Sequence, residues 1–179
     1  MTTKKTVVHG RFFAAICVLA VSLWFAGSAA AGEPALQSEP AGALSRLHGL
    51  TSRASELAIK AVDLLGIRYK YGSSSPEHGL DCSGLVQHVF KDAWGKELPR
   101  TSAEISRVGE RIDVNELQPG DLVFYNTLRR GFSHVGIYLG DSKFIHAPSA
   151  GGKVRIESMN LNYWKKRFNG ARRIQDTEQ

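Results

Sequence analysis

Cysteine is scarce in this chain, with only Cys17 and Cys82 among 179 residues. No C-x-x-C or H-E-x-x-H spacing occurs, so the paired ligands of the common zinc motifs are missing. Basic clusters interleaved with aromatics are also absent, which removes the usual footprint of a nucleic-acid surface. There is no internal repeat and no low-complexity block, so neither a repeat array nor a compositionally biased chain is expected. Acidic residues are lacking from positions 1–31, and the apolar run there stops short of the ~20 residues a membrane-spanning helix needs.

Those first 31 residues have a directional order instead. Lys4, Lys5 and Arg11 precede an apolar run from Phe12 to Phe25, and Gly27-Ser28-Ala29-Ala30-Ala31 follows. This is the order of a secretory signal peptide, with cleavage expected near Ala31. The competing reading is an uncleaved anchor in the inner membrane. Without residues 1–31 the formal charge drops from +6 to +3, a mild basic bias that favours a polyanionic surface. Residues 32–50 mix Gly, Pro, Ser and Ala without a period and read as a flexible linker. The remainder, 51–179, has the length and the apolar content of one folded domain.

Cleavage would remove Cys17 and leave Cys82 without a partner in an exported protein. An unpaired thiol there is either buried as a small hydrophobe or used. Its surroundings bear on the choice. Leu57, Ala58, Ala61, Val62, Leu64 and Leu65 predict a first helix that Gly66 stops, and Ile67 to Ser75 reads as loop. A second helix begins after Asp81, a good N-cap, with Leu85, Val86, Val89, Phe90, Ala93 and Trp94 on one face and Gly95 at its end. Thr101-Ser102-Ala103-Glu104 is a capping box opening a short third helix that Gly109 closes. Strands follow at Asp121 to Tyr125, Ser133 to Leu139, Lys143 to Ala147, Val154 to Ile156 and Ala171 to Ile174, with a turn or helix around Tyr163-Trp164. Helices first and an antiparallel sheet afterwards predict an α+β domain.

Cys82 stands one residue past a helix cap, where free amides and the macrodipole favour an anion. Along Ser133 to Leu139, His134, Gly136 and Tyr138 share one face, while Val135, Ile137 and Leu139 form the other. His146 alternates with Phe144 on the next strand. The two histidines share a sheet face if the hairpin about Gly140-Asp141 has an odd loop, and oppose each other if it is even. A thiol at a helix start, a histidine base and a polar group orienting that base would form a cysteine-nucleophile triad. Zinc held by one cysteine and two histidines is the rival, and a structural role for both histidines is another.

Asp81-Cys82-Ser83-Gly84-Leu85-Val86, His134-Val135-Gly136-Ile137-Tyr138 and Phe144-Ile145-His146-Ala147 resemble the three signature blocks of the NlpC/p60 cell-wall peptidases. Tyr69 with Gly72, Leu98-Pro99-Arg100-Thr101-Ser102 and Pro119-Gly120-Asp121-Leu122 agree with that pattern. The ending Tyr163-Trp164-Lys165-Lys166-Arg167-Phe168, with Ala171-Arg172-Arg173, is similar to the murein endopeptidases of Gram-negative bacteria. The resemblance covers about residues 54–175.

It implies a papain-like α+β fold with N-terminal helices packed on an antiparallel sheet. It also implies Cys82 as nucleophile, His134 as general base and acid, and His146 as the residue orienting it. Tyr69 is expected at the oxyanion, Ser83 near the thiolate and Arg100 at a substrate carboxylate, with a salt bridge as Arg100's alternative. Asp81 is expected to cap rather than react. One departure is that Ser73-Ser74-Ser75, not a second glycine, follows Gly72.

The implied reaction is hydrolysis of amide bonds in peptidoglycan stem or cross-link peptides through an acyl-enzyme, without metal or cofactor. The implied partners are those wall peptides and no nucleic acid, for a monomer working in the periplasm. Any regulatory adaptor or protease is left unidentified. A non-catalytic wall-binding protein and an amidase or acyltransferase of related fold are the rival functions.

Overall fold

Asp81 organises the start of the central helix. Its carboxylate Oδ1 accepts the Gly84 N–H at 2.7 Å, filling one of the amide positions that a helix start leaves without an internal partner. The computed structural model describes residues 53–128, 131–150 and 152–176. The expected leader, the linker and the Arg129-Arg130 turn fall outside them.

The first helix, α1, occupies residues 53–62. Two-residue strands β1 (Ser74–Ser75) and β2 (Gly79–Leu80) precede the central helix α2 (Cys82–Trp94) and the single-turn α3 (Ser102–Ile105). Then come β3 (Glu110–Ile112), a 3₁₀ turn (Val114–Glu116), β4 (Leu122–Tyr125), β5 (His134–Gly140), β6 (Lys143–His146), β7 (Arg155–Ser158), α4 (Asn162–Lys165) and β8 (Phe168–Arg173). β3 to β8 form one six-stranded sheet in the order β3-β8-β4-β5-β6-β7, with every pair antiparallel. The predicted α+β class with helices packed on an antiparallel sheet is what forms.

Apolar periodicity explains the layers. Leu85, Val86, Val89 and Phe90 of α2 are fully buried, in one cluster with Leu122, Phe124, Val135, Ile137 and Ile145 of the sheet and Leu57 and Ala61 of α1. Burying each of those large α2 side chains contributes roughly 1.5–3 kcal/mol. Gly95, in the left-handed conformation that ends many helices, stops α2 as read from the sequence. The alternate strand residues point the other way. Val123, Tyr125, Phe144 and Ala171 build a second cluster with Ile112, Met159 and Trp164, so the sheet is covered on both faces.

Several elements differ from the sequence reading. Residues 67–75 are not wholly loop, because Tyr69 bridges Leu80 and β1 pairs with β2. α1 ends at residue 62 with turns to 66, which leaves Val62 and Leu65 exposed rather than in the core. α3 has the expected capping box between Thr101 and Glu104 but stops at Ile105, well before Gly109. β3 has no apolar alternation of its own; it is a strand because β8 supplies the ladder.

The β5–β6 hairpin decides where the histidines go. Ile137 pairs with Ile145 and Tyr138 with Phe144, but Gly140 pairs with Lys143. The tight turn is therefore Asp141-Ser142, both at positive φ (50° and 55°), a two-residue loop of even count. A one-residue bulge between Tyr138 and Gly140 cancels that parity. Gly140 takes φ 99° to make the bulge, a conformation that a side chain would strain. His134 and His146 consequently lie on one face of the sheet.

Candidate active site

Two groups of polar side chains lie near β5, one around Cys82 and one around His134. The first surrounds Cys82. The Asp81 carboxylate accepts the Gly72 N–H at 2.8 Å, the Ser83 hydroxyl at 3.2 Å and Arg100 Nη1 at 3.1 Å, besides capping α2. Arg100 Nη1 also donates to Ser83 Oγ at 2.9 Å. Burial works to raise the Asp81 pKa, but Arg100 and the two amides outweigh it and hold the carboxyl below its usual range. The structure thus engages Ser83 and Arg100 with Asp81, a pairing weighed for Arg100 but not expected of Ser83. Tyr69 is half-buried beside them. Burial raises its phenol, and the Asp81 charge, with that of Cys82 once ionised, adds to that, so the hydroxyl stays protonated.

Cys82 departs from the sequence expectation in one respect. The helix start was expected to favour the thiolate, yet its pKa is raised. Burial is the main cause and the Asp81 charge contributes, against the amides of Val135, Ser83 and Cys82 itself, which favour the anion. Near neutral pH the group rests as a thiol. The Val135 amide among these belongs to the second residue of β5, so Cys82 lies near the start of that strand.

The second group lies across the sheet from α2. His134 and His146 sit with Tyr125, Phe144 and Trp164, whereas α2 packs on the Val135 and Ile137 face. His134 is the first residue of β5 and precedes Val135 on the α2 side of the sheet. His134 Nε2 is 2.8 Å from His146 Nδ1, and His146 Nε2 is 2.9 Å from Glu157 Oε2. Trp164 Nε1 donates to that same oxygen at 2.8 Å, and its ring stacks on His134 at 5.5 Å between centroids. Burial lowers both histidine pKa values; the charge of Arg155 lowers them further, and His134 also feels His146. Both rings are therefore neutral at physiological pH.

Neutrality makes the hydrogen-bond direction readable. A carboxylate only accepts, so His146 Nε2 carries a proton toward Glu157 and Nδ1 is left bare. That bare nitrogen accepts from His134 Nε2–H, which leaves His134 Nδ1 with a free lone pair. The histidines and Glu157 form a chain, each facing the next, rather than converging on one point. Among the described residues no group of three or more His, Cys, Asp or Glu is arranged to hold a metal ion.

Glu157 was missed in the sequence, where only its alternation with Arg155 on a short strand could have drawn notice. Trp164 is buried and lines a cleft of ≈ 310 Å³ with His134, Glu157, Arg155 and Tyr163. His88 is half-buried on the far side of α2, by a separate groove with Gln87 and Leu98.

The chain is similar to known proteins. The murein DD-endopeptidase MepS/murein LD-carboxypeptidase of Escherichia coli K12 is 42% identical over 120 residues, covering 67% of this chain and 62% of that protein. A gamma-DL-glutamyl hydrolase of Bacillus subtilis is 43% identical over 116 residues, covering 64% of this chain and 28% of that protein. The chain thus spans less than two thirds of the length of either. A crystal structure of an NlpC/P60 family protein from Bacillus cereus superposes with a TM-score of 0.62 at 34% identity, covering 67% of this chain and 39% of the other. A profile of the NlpC/P60 family matches residues 66–173, more than half of the sequence, and this chain belongs to that family.

Proposed function

We propose that the chain is an exported peptidoglycan endopeptidase that hydrolyses amide bonds of wall peptides with Cys82 as nucleophile. The observation that carries this is the 2.8 Å contact between His146 and His134, the residue that precedes Val135, whose amide favours the Cys82 anion. Both similar proteins named above act on peptide-type bonds, and the first is a murein enzyme by name.

The steps follow from the groups present. His134 Nδ1 takes the thiol proton as the sulfur attacks the carbonyl carbon, so a fully formed thiolate is not needed beforehand. The Cys82 N–H and the Tyr69 hydroxyl donate to the oxyanion that develops. Collapse breaks the C–N bond, and His134 returns the proton to the departing amine, leaving a thioester on Cys82. Water then gives a proton to His134 and attacks the thioester, releasing the carboxylic acid and restoring the thiol. Ser83 and Arg100 act by holding Asp81, and so the start of α2, in place. The leader of residues 1–31 directs the chain to the periplasm, where it works as a monomer.

Digestion of defined muropeptides, read by mass spectrometry, tests the reading. Loss of a D-alanine–diaminopimelate cross-link marks an endopeptidase of cross-links. Cleavage of a γ-D-glutamyl–diaminopimelate stem bond marks the second reading, which similarity to the Bacillus hydrolase favours. Binding without any cleavage by the wild type, or cleavage retained in Cys82→Ser, would overturn the proposal.

A further inference from the structure

The His134–His146 pair does not end the polar chain. Glu157 lies on β7, opposite Phe144 and diagonal to His146 in the β6–β7 ladder, on the same sheet face as both. Its carboxylate is fully subscribed. Oε2 accepts from His146 Nε2 at 2.9 Å and Trp164 Nε1 at 2.8 Å, and Oε1 meets Arg155 Nε at 3.1 Å. Arg155 is itself tied to the Ala150 carbonyl at 3.1 Å. An acceptor held from three sides by rigid or anchored donors has one orientation, and its side chain is only 22% exposed.

We propose that Glu157 is a positioning residue for the reaction, fixing the tautomers of both histidines so that the lone pair of His134 Nδ1 faces the nucleophile. The reason is sequential. A carboxylate at His146 Nε2 forces the proton onto that nitrogen and empties Nδ1. The empty Nδ1 forces the His134 proton onto Nε2, leaving Nδ1 as the one basic nitrogen of that ring. Without Glu157, His146 is free to carry its proton on Nδ1, opposing the His134 Nε2–H and driving the His134 proton toward the nucleophile side. Trp164 contributes twice, by holding Oε2 and by stacking on the His134 ring. Removing the outer partner of a metal-ligating histidine typically costs about 10–100-fold, and a loss on that scale is expected for this hydrogen-bonded pair.

This inference rests on the peptidase reading, and its test separates the two. Long-range ¹⁵N–¹H spectra of the full chain, labelled in the histidine rings and recorded without substrate, report the tautomers directly. The expected result is both His134 and His146 neutral and protonated on Nε2. In Glu157→Leu the acceptor that holds the proton on His146 Nε2 is gone, and His146 is expected to move its proton to Nδ1. kcat on the wall peptide that the wild type cleaves should fall about 10–100-fold with KM changed less than about twofold. Wild-type His146 protonated on Nδ1 would overturn the inference without any variant being made. So would a folded Glu157→Leu protein with the wild-type tautomer, or with undiminished kcat. If the wild type cleaves no wall peptide, the peptidase reading fails while the ring assignments still decide what Glu157 does.

Discussion

Gly136 faces His146 across the β5–β6 ladder so closely that a Cβ at 136 would lie 3.2 Å from the His146 Cβ. It would also meet the Ile145 carbonyl oxygen and the Phe144 ring at 2.7 Å each. The absent side chain is thus what lets the two histidines approach as diagonal neighbours. Gly136→Ala is expected to destabilise the fold by about 1–3 kcal/mol through overpacking. Activity should fall at least about tenfold, because His146 must shift from His134. Urea unfolding and a muropeptide assay measure the two effects, and an alanine variant with full activity would contradict this account of the site.

Cys82 is expected to react slowly with iodoacetamide at neutral pH. Burial and the Asp81 charge raise its pKa, so the thiolate fraction should grow only as pH passes the ordinary free-cysteine value of about 8.5. Labelling rates measured from pH 6 to 10 should climb through the alkaline range. A rate already at its plateau below pH 7 would mean a preformed thiolate–imidazolium pair instead.

Acid should destabilise the domain before its carboxylates titrate. His134 and His146 are both lowered to about 3 by burial, against about 6.5 in an unfolded chain. Between those values the unfolded state binds more protons, so stability is full above pH 6.5 and falls as pH decreases. By pH 5 the loss is roughly 2 kcal/mol for each histidine. Asp81, held below its usual range, adds its own loss only at lower pH. Urea midpoints at pH 8, 6.5 and 5 check this, and equal stability at all three would contradict neutral burial of the pair.

Asp81→Ala removes the α2 cap and the acceptor for Gly72, Ser83 and Arg100 together. A lost cap costs about 1 kcal/mol. Stranding Arg100 adds less than a fully buried pair would, since that side chain is 40% exposed. The total is expected near 2–3 kcal/mol by urea unfolding. Cys82 loses a neighbouring negative charge at the same time, so its labelling profile should move toward lower pH. An unchanged profile would mean that Asp81 does not act on the thiol.

What the sequence determined by itself is local. Asp81, the apolar face from Leu85 to Trp94 and Gly95 specify α2, because capping, helical period and a left-handed stop are all short-range properties. Alternation along 133–139 and 143–147 specified two strands and separated the histidine face from the Val135 face. Only tertiary structure decided the parity of the β5–β6 hairpin, because an even turn and a compensating bulge leave no periodic trace before the strands pair. β3 is a strand through its pairing with β8, not through its own pattern. The Cys82 pKa and the place of Glu157 likewise depend on neighbours far along the chain, since burial and ladder register bring groups together that sequence spacing keeps apart.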